Sequence, residues 1–121
     1  MRPPLEPFLA VRAADLHWLA GLIEGEGSFS LGKHTYHGKT ERRYVSPMIR
    51  VGSTDRDVFE RSARIIGATS TSVSRQPRRK PFYVWALAGR AAIPWLKRLL
   101  PLMGRRRAQR IQFILKEVSC G

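Results

Sequence analysis

Leu19-Ala20-Gly21-Leu22-Ile23-Glu24-Gly25-Glu26-Gly27, running on into Ser28-Phe29, is the stretch on which the fold turns. Asp15 as N-cap and the apolar spacing Leu16, Leu19, Leu22/Ile23 predict a helix over residues 15–26, so Gly21 and Gly25 fall inside it. Each glycine there costs about 0.5–1 kcal/mol relative to alanine. Their spacing puts both on one face, a flat stripe along which another backbone can approach closely. Similar stripes join membrane helices. This one is too short to span a bilayer and ends in charge, so a helix-to-helix contact in a soluble protein is expected. Glu24 and Glu26 stand in the last turn, where the helix macrodipole disfavours carboxylates. Residues two apart on a helix point to nearly opposite sides, so at most one of these acids faces the same target as the stripe. Glu26 is the expected one. The bland alternative is a surface helix fraying into a glycine-rich turn with two solvated acids.

Length and charge narrow the rest. The 121 residues make one domain, over 15–121, behind a Pro-rich and then Ala-rich arm at 1–14. With 22 Lys+Arg against 9 Asp+Glu the formal charge is +13, which calls for a polyanionic partner, nucleic acid or an anionic membrane. The longest apolar stretch, near Ile93 to Met103, is interrupted by Lys97 and Arg98, which argues against the membrane. Arg2, two prolines and Glu6 do not make a signal peptide. Cys120, the single cysteine, excludes a disulfide framework or a cysteine-based zinc site within one chain. An intracellular, non-secreted location is expected.

Downstream, residues 28–36 and 42–53 predict two strands joined by a loop containing Gly38. In the second, Val45, Ile49 and Val51 alternate with Tyr44, Ser46, Met48 and Arg50, one face apolar and the other polar and basic. Pro47 marks an edge or a bulge. Ser53, Thr54 or Asp55 caps a helix running to about Ile66, with Val58, Phe59, Ala63 and Ile66 inward and Gly67 as its stop. Strands over about 69–75 and 82–88 flank the basic turn Gln76-Pro77-Arg78-Arg79-Lys80. Helices over about 91–100, with Pro94 in its first turn, and 105–118 complete the chain. Trp18, Trp85, Trp95 and Phe113 are expected in the core. The order α-β-β-α-β-β-α-α gives an α+β fold, a four-stranded antiparallel sheet with helices on one face and the other face open.

Residues 19–27 with Ser28-Phe29 resemble the signature of the LAGLIDADG homing endonucleases, in a Glu-Gly-Glu-Gly-Ser-Phe variant, and the resemblance covers the whole αββαββα(α) order. It implies a saddle-shaped sheet for double-stranded DNA. It also implies that the motif helix packs against its own copy through Leu19, Gly21, Leu22 and Gly25. Since the motif occurs once, it implies a homodimer cutting both strands of a pseudo-palindromic site. Glu26 and the carbonyl of Gly25 are implied to hold Mg²⁺ or Mn²⁺, with Glu24 off the metal. Most members carry Asp where Glu26 stands. A polar residue at the end of the second strand, here Ser53, and a basic residue at the start of the late helix, Arg105 or Arg106, are implied to order water at the scissile phosphate. The plainer roles are a helix cap for Ser53 and a solvated phosphate grip for the arginines. The family's hosts would place the protein in a bacterial or phage cytoplasm or an organelle matrix, serving an intron, an intein or a free-standing gene.

Counting alternate positions, Ser30, His34 and Tyr36 on the first strand and Arg42, Tyr44, Ser46, Met48 and Arg50 on the second face away from the helices, as a ribbon in a major groove requires. Arg75, Arg78, Arg79 and Lys80 suit phosphates. His34-x-x-His37 lacks the further ligands a zinc site needs, and the absence of asparagine excludes a His-Asn-His nuclease. Two rivals stand beside the nuclease. One is a non-catalytic descendant, either a DNA-binding regulator or an RNA-binding intron maturase. The other is a basic nucleic-acid binder without sequence preference.

Overall fold

A computed structural model describes residues 11–38 and 42–120, with the side chains of Tyr36, Arg42, Arg43 and Cys120 outside the description. Most of the expected arm, residues 1–10, also lies outside the described residues. The elements are α1 (Ala13–Glu26), β1 (Gly27–Tyr36), β2 (Arg42–Ser53), α2 (Arg56–Ile66), β3 (Ser70–Ser74), β4 (Phe82–Ala88), α3 (Ala92–Leu99) and α4 (Arg105–Cys120). The expected α+β order is therefore observed. The predicted helix near 91–100 is trimmed to α3 by one-turn 3₁₀ segments at Gly89–Ala91 and Leu100–Leu102. No helix among the described residues is long and apolar enough to cross a membrane.

The sheet is antiparallel throughout, in the order β1-β2-β4-β3. Phe29 pairs with Ile49 and Ile49 with Leu87, while Val51 pairs with Trp85. These residues are buried and define the face on which the helices pack. Beneath them lie Leu16, Leu19, Ala20 and Ile23 of α1, Ile66 of α2, Trp95, Leu96 and Leu99 of α3, and Ile111 and Ile114 of α4. β4 pairs with β2 only from Met48 onward, so at Pro47 β2 has one neighbour, and the missing N–H costs no second ladder.

Helix ends follow local chemistry, with one correction. Asp55 caps α2, its carboxylate accepting the N–H groups of Asp57 and Val58 at 2.9 and 3.2 Å. Gly67 ends α2 at φ 71, a left-handed conformation open to glycine, and donates to Ala63 O. Asp15, by contrast, does not cap α1. The helix begins two residues earlier, from Arg12, without a side-chain cap, and Asp15 sits in the first turn 3.4 Å from Arg61 of α2. Arg61 also lies 4.0 Å over the ring of Trp18, so this half-buried tryptophan clips α1 to α2 at the rim of the core. Phe113 departs further from expectation: it is 46% exposed on α4, beneath the guanidinium of Arg110, because Ile111 and Ile114 already occupy the inward face.

Among the described residues, one polar residue is fully buried in the core. Ser62 donates to Val58 O at 2.7 Å and accepts the indole N–H of Trp85 at 2.7 Å. Central Trp85 thereby has its donor satisfied at the meeting of α2 and β4.

Candidate functional site

The two acids of the opening stretch have opposite surroundings. The Glu24 carboxylate stands 3.6 Å from Arg107 Nε. It also lies so close to the backbone before α4 that a Cβ on Gly104 would sit 2.6 Å from Glu24 Oε1. An anion unfavourable at the end of its own helix is thus placed beside the positive end of another, which accounts for its position. Glu26 is exposed and has no hydrogen bond or ion pair among the described residues.

Arg107 and a second arginine tie α4 to the exit from the motif. Arg107 Nη1 donates to Gly27 O at 2.5 Å, and Arg110 Nε donates to Phe29 O at 3.3 Å. Arg107 thus grips the backbone after Glu26 and the side chain of Glu24 before it. Glu24, Ser28 and Phe29 on one side and Arg106, Arg107, Gln109 and Arg110 on the other line an open cleft of about 660 Å³. Arg107 and Arg110, three residues apart and so on one side of α4, were legible as a helical repeat, but nothing local links them to residues about 80 positions earlier.

Of the remaining expected residues, Arg106 lines this cleft and Arg105 is exposed outside its lining. Ser53 is at the same end of the sheet, since Gly27 pairs with Val51. Its hydroxyl accepts the N–H of Asp55 at 3.0 Å, the role of a turn residue. Leu19 is corrected: expected on the self-association face with Gly21, Leu22 and Gly25, it is fully buried in the chain's own core. Gly21 and Gly25 are exposed, Leu22 is half-buried, and a Cβ on either glycine would meet nothing within 4 Å.

The open face of the sheet follows from the register. Ser28 lies opposite Arg50, Ser30 opposite Met48, Gly32 opposite Ser46 and His34 opposite Tyr44, all on the side away from Phe29 and Ile49. His34 and Tyr44 stack with ring centroids 5.0 Å apart, and Tyr44 is 54% exposed. Tyr36 and Arg42 are paired at the far end of the ribbon, with their side chains outside the described residues. Arg75, Arg78, Arg79 and Lys80 are all exposed in the β3–β4 connection, where Arg78 adopts φ 63. That connection leaves the sheet beyond the pair Ser53–Tyr83, at the same end as Glu26.

As a place for a divalent cation, the end of α1 offers hard oxygen. Glu26 is an unpaired carboxylate, and Gly25 belongs to the last turn, whose carbonyls lack intrahelical partners. No group of three or more His, Cys, Asp or Glu suited to a metal ion occurs among the described residues. Among the described residues His34-x-x-His37 therefore has no third ligand beside it.

No family model matches the chain, and no curated protein matches it. Solved structures do. The group I intron-encoded homing endonuclease I-CeuI, complexed with DNA, superposes with a TM-score of 0.62 at 14% identity over 88% of this chain and 54% of that one. The homing endonuclease I-CvuI, also in complex with DNA, gives 0.61 at 17% identity over 96% of this chain and 71% of that one. The LAGLIDADG homing endonuclease I-GzeII, in complex with a DNA target, gives 0.60 at 14% identity over 86% and 35%. The chain thus spans about half of I-CeuI and about a third of I-GzeII. At these identities the likeness is one of architecture: the chain has the fold of the LAGLIDADG homing endonucleases.

Proposed function

We propose that the chain is a sequence-specific, divalent-metal-dependent DNA endonuclease that acts as a homodimer inside the cell. The observation that carries this reading is the contrast between the two motif acids. Glu24 is consumed by Arg107 and the start of α4 and lines the arginine-rich cleft, whereas Glu26, in a chain of charge +13, is left exposed and unpaired one residue before the backbone that Arg107 holds. A carboxylate gains nothing for stability there, and it suits cation binding next to a phosphate.

Bound Mg²⁺ would supply charge neutralisation and an activated water. This chain's residues do the rest. Glu26 and the Gly25 carbonyl present oxygen at the end of α1. Arg106, in the cleft lining, offers a guanidinium to a phosphate, and Arg107 and Arg110 hold the Gly27–Phe29 backbone in place. Self-association along Gly21 and Gly25 would bring two copies of Glu26 beside one axis, completing what a single chain lacks. The β1–β2 ribbon, with Arg50, Tyr44 and His34, enters a major groove, while Arg75, Arg78, Arg79 and Lys80 hold phosphates.

The test is cleavage of a randomised DNA library with Mg²⁺ by the wild type and by Glu26→Gln. Discrete double-strand cuts at a pseudo-palindromic site by the wild type, and selection of that site without cutting by the variant, are expected. If neither cuts but both select the same DNA, the chain is a binder on a nuclease scaffold. If RNA is preferred, the maturase reading replaces this one.

A further inference from the structure

The open face of the sheet is divided into two unlike halves. The β1–β2 half carries His34, Tyr44, Met48 and Arg50, and its outer part, from Pro47 back to Arg42, projects beyond β4. The β3–β4 half is different in kind. Ser70 lies opposite Ala86, Ser72 opposite Val84 and Ser74 opposite Phe82, and the matching rows on β2 place these residues on the same face as Arg50 and Gly52. The floor here is short hydroxyls and small apolar groups. Phe82 is 45% exposed, but its ring lies over Gly52, where an added Cβ would come within 2.4 Å of it. At the rim of this half stand the exposed cations of the β3–β4 connection.

Discrimination between bases requires paired donors and acceptors at fixed spacing, as in Arg to guanine or Gln to adenine. A serine hydroxyl rotates, donates or accepts, and so accommodates several base edges. Alanine and valine offer no hydrogen bond at all. Cations on an exposed turn attract the backbone of any sequence.

Resting on the DNA reading above, we infer that the chain divides its DNA contacts: the projecting β1–β2 ribbon determines sequence specificity, and the β3–β4 half grips without reading. Because β3–β4 lies at the Glu26 end of the sheet, the base pairs nearest the cleavage site are the tolerant ones except where Arg50, in the row of Ala86 and Ser70, reaches one. The other specified positions lie at the outer ends of each half-site.

The test is binding selection from a randomised duplex library without metal, for the wild type, the triple variant Ser70→Ala/Ser72→Ala/Ser74→Ala, Arg50→Ala and Ser72→Arg. The wild type is expected to discriminate about 5- to 150-fold at outer positions, the range of a good bidentate contact. At the positions under β3–β4, preferences of less than about 3-fold are expected, well short of a bidentate contact. The triple serine variant keeps the wild-type profile, Arg50→Ala loses one preference at the Glu26 end, where β2 and not β3–β4 does the reading, and Ser72→Arg creates a guanine preference where none existed. If the wild type selects a site and the serine variant flattens preferences at its centre, the division of labour is overturned while the DNA reading stands. If no sequence is enriched at all, both fall together.

Discussion

Replacing Gly21 and Gly25 with alanine separates what the single chain needs from what a dimer needs. Within the isolated fold a Cβ at either position meets nothing within 4 Å, and neither glycine has a positive φ. The two methyl groups therefore fit without strain, and each substitution should stabilise α1 by about 0.5–1 kcal/mol through lower backbone entropy in the unfolded chain. In a close two-fold contact between copies of α1 the same methyl groups have no room. Overpacking costs about 1–3 kcal/mol per site, and two-fold symmetry presents each site twice. Even at the low end, Gly21→Ala should weaken the dimer by about 2 kcal/mol, roughly 30-fold in Kd. Sedimentation equilibrium gives the dimer Kd, and thermal melting at low and high protein concentration gives the stability of each form. The expected outcome is opposite signs: a more stable monomer and a weaker dimer. A double variant with unchanged dimer Kd and raised monomer stability would show that the stripe is merely exposed helix. A destabilised monomer would refute the packing argument itself.

Other perturbations probe the rest. Ser62→Ala strands the buried indole N–H of Trp85 and should cost about 1–3 kcal/mol, read as a lower urea midpoint with altered tryptophan fluorescence; no change would mean that water or a shifted ring satisfies the donor. Asp55→Ala removes the acceptor for two N–H groups at the start of α2 and should lower stability by about 1 kcal/mol in the same urea titration. Arg107→Met releases both Glu24 and Gly27 O; it should raise the Mg²⁺ concentration needed for half-maximal cleavage while leaving metal-free DNA affinity within about threefold, well below what removing a bidentate base pairing costs, with Arg107→Lys intermediate. Alanine at Arg78, Arg79 and Lys80 together should lower the slope of log Kd against log salt by about 0.9 for each phosphate no longer neutralised, and an unchanged slope would place this turn off the DNA.

The sequence carried the whole order of elements, because each is written in local physics. Alternation at Val45, Ile49 and Val51, the cap at Asp55 and the stop at Gly67 concern residues within a few positions of one another, and the structure has all of them. Periodicity alone also placed His34, Tyr44, Met48 and Arg50 on one side of a ribbon, since side chains on a strand alternate whatever the tertiary arrangement. What failed was local competition. Asp15 does not cap because α1 could start earlier, and Phe113 stays out of the core because Ile111 and Ile114 fill it. Leu19 was assigned to the self-association face because it belongs to the motif, but a helix has one inward side, and the chain's own core claims it. The distinction between Glu24 and Glu26 was decided by tertiary structure. Their identities and spacing are in the sequence, yet the partners that hold one and leave the other free, Gly104 and Arg107, come from a helix some 80 residues away, and long-range placement of that kind leaves no trace in a local pattern.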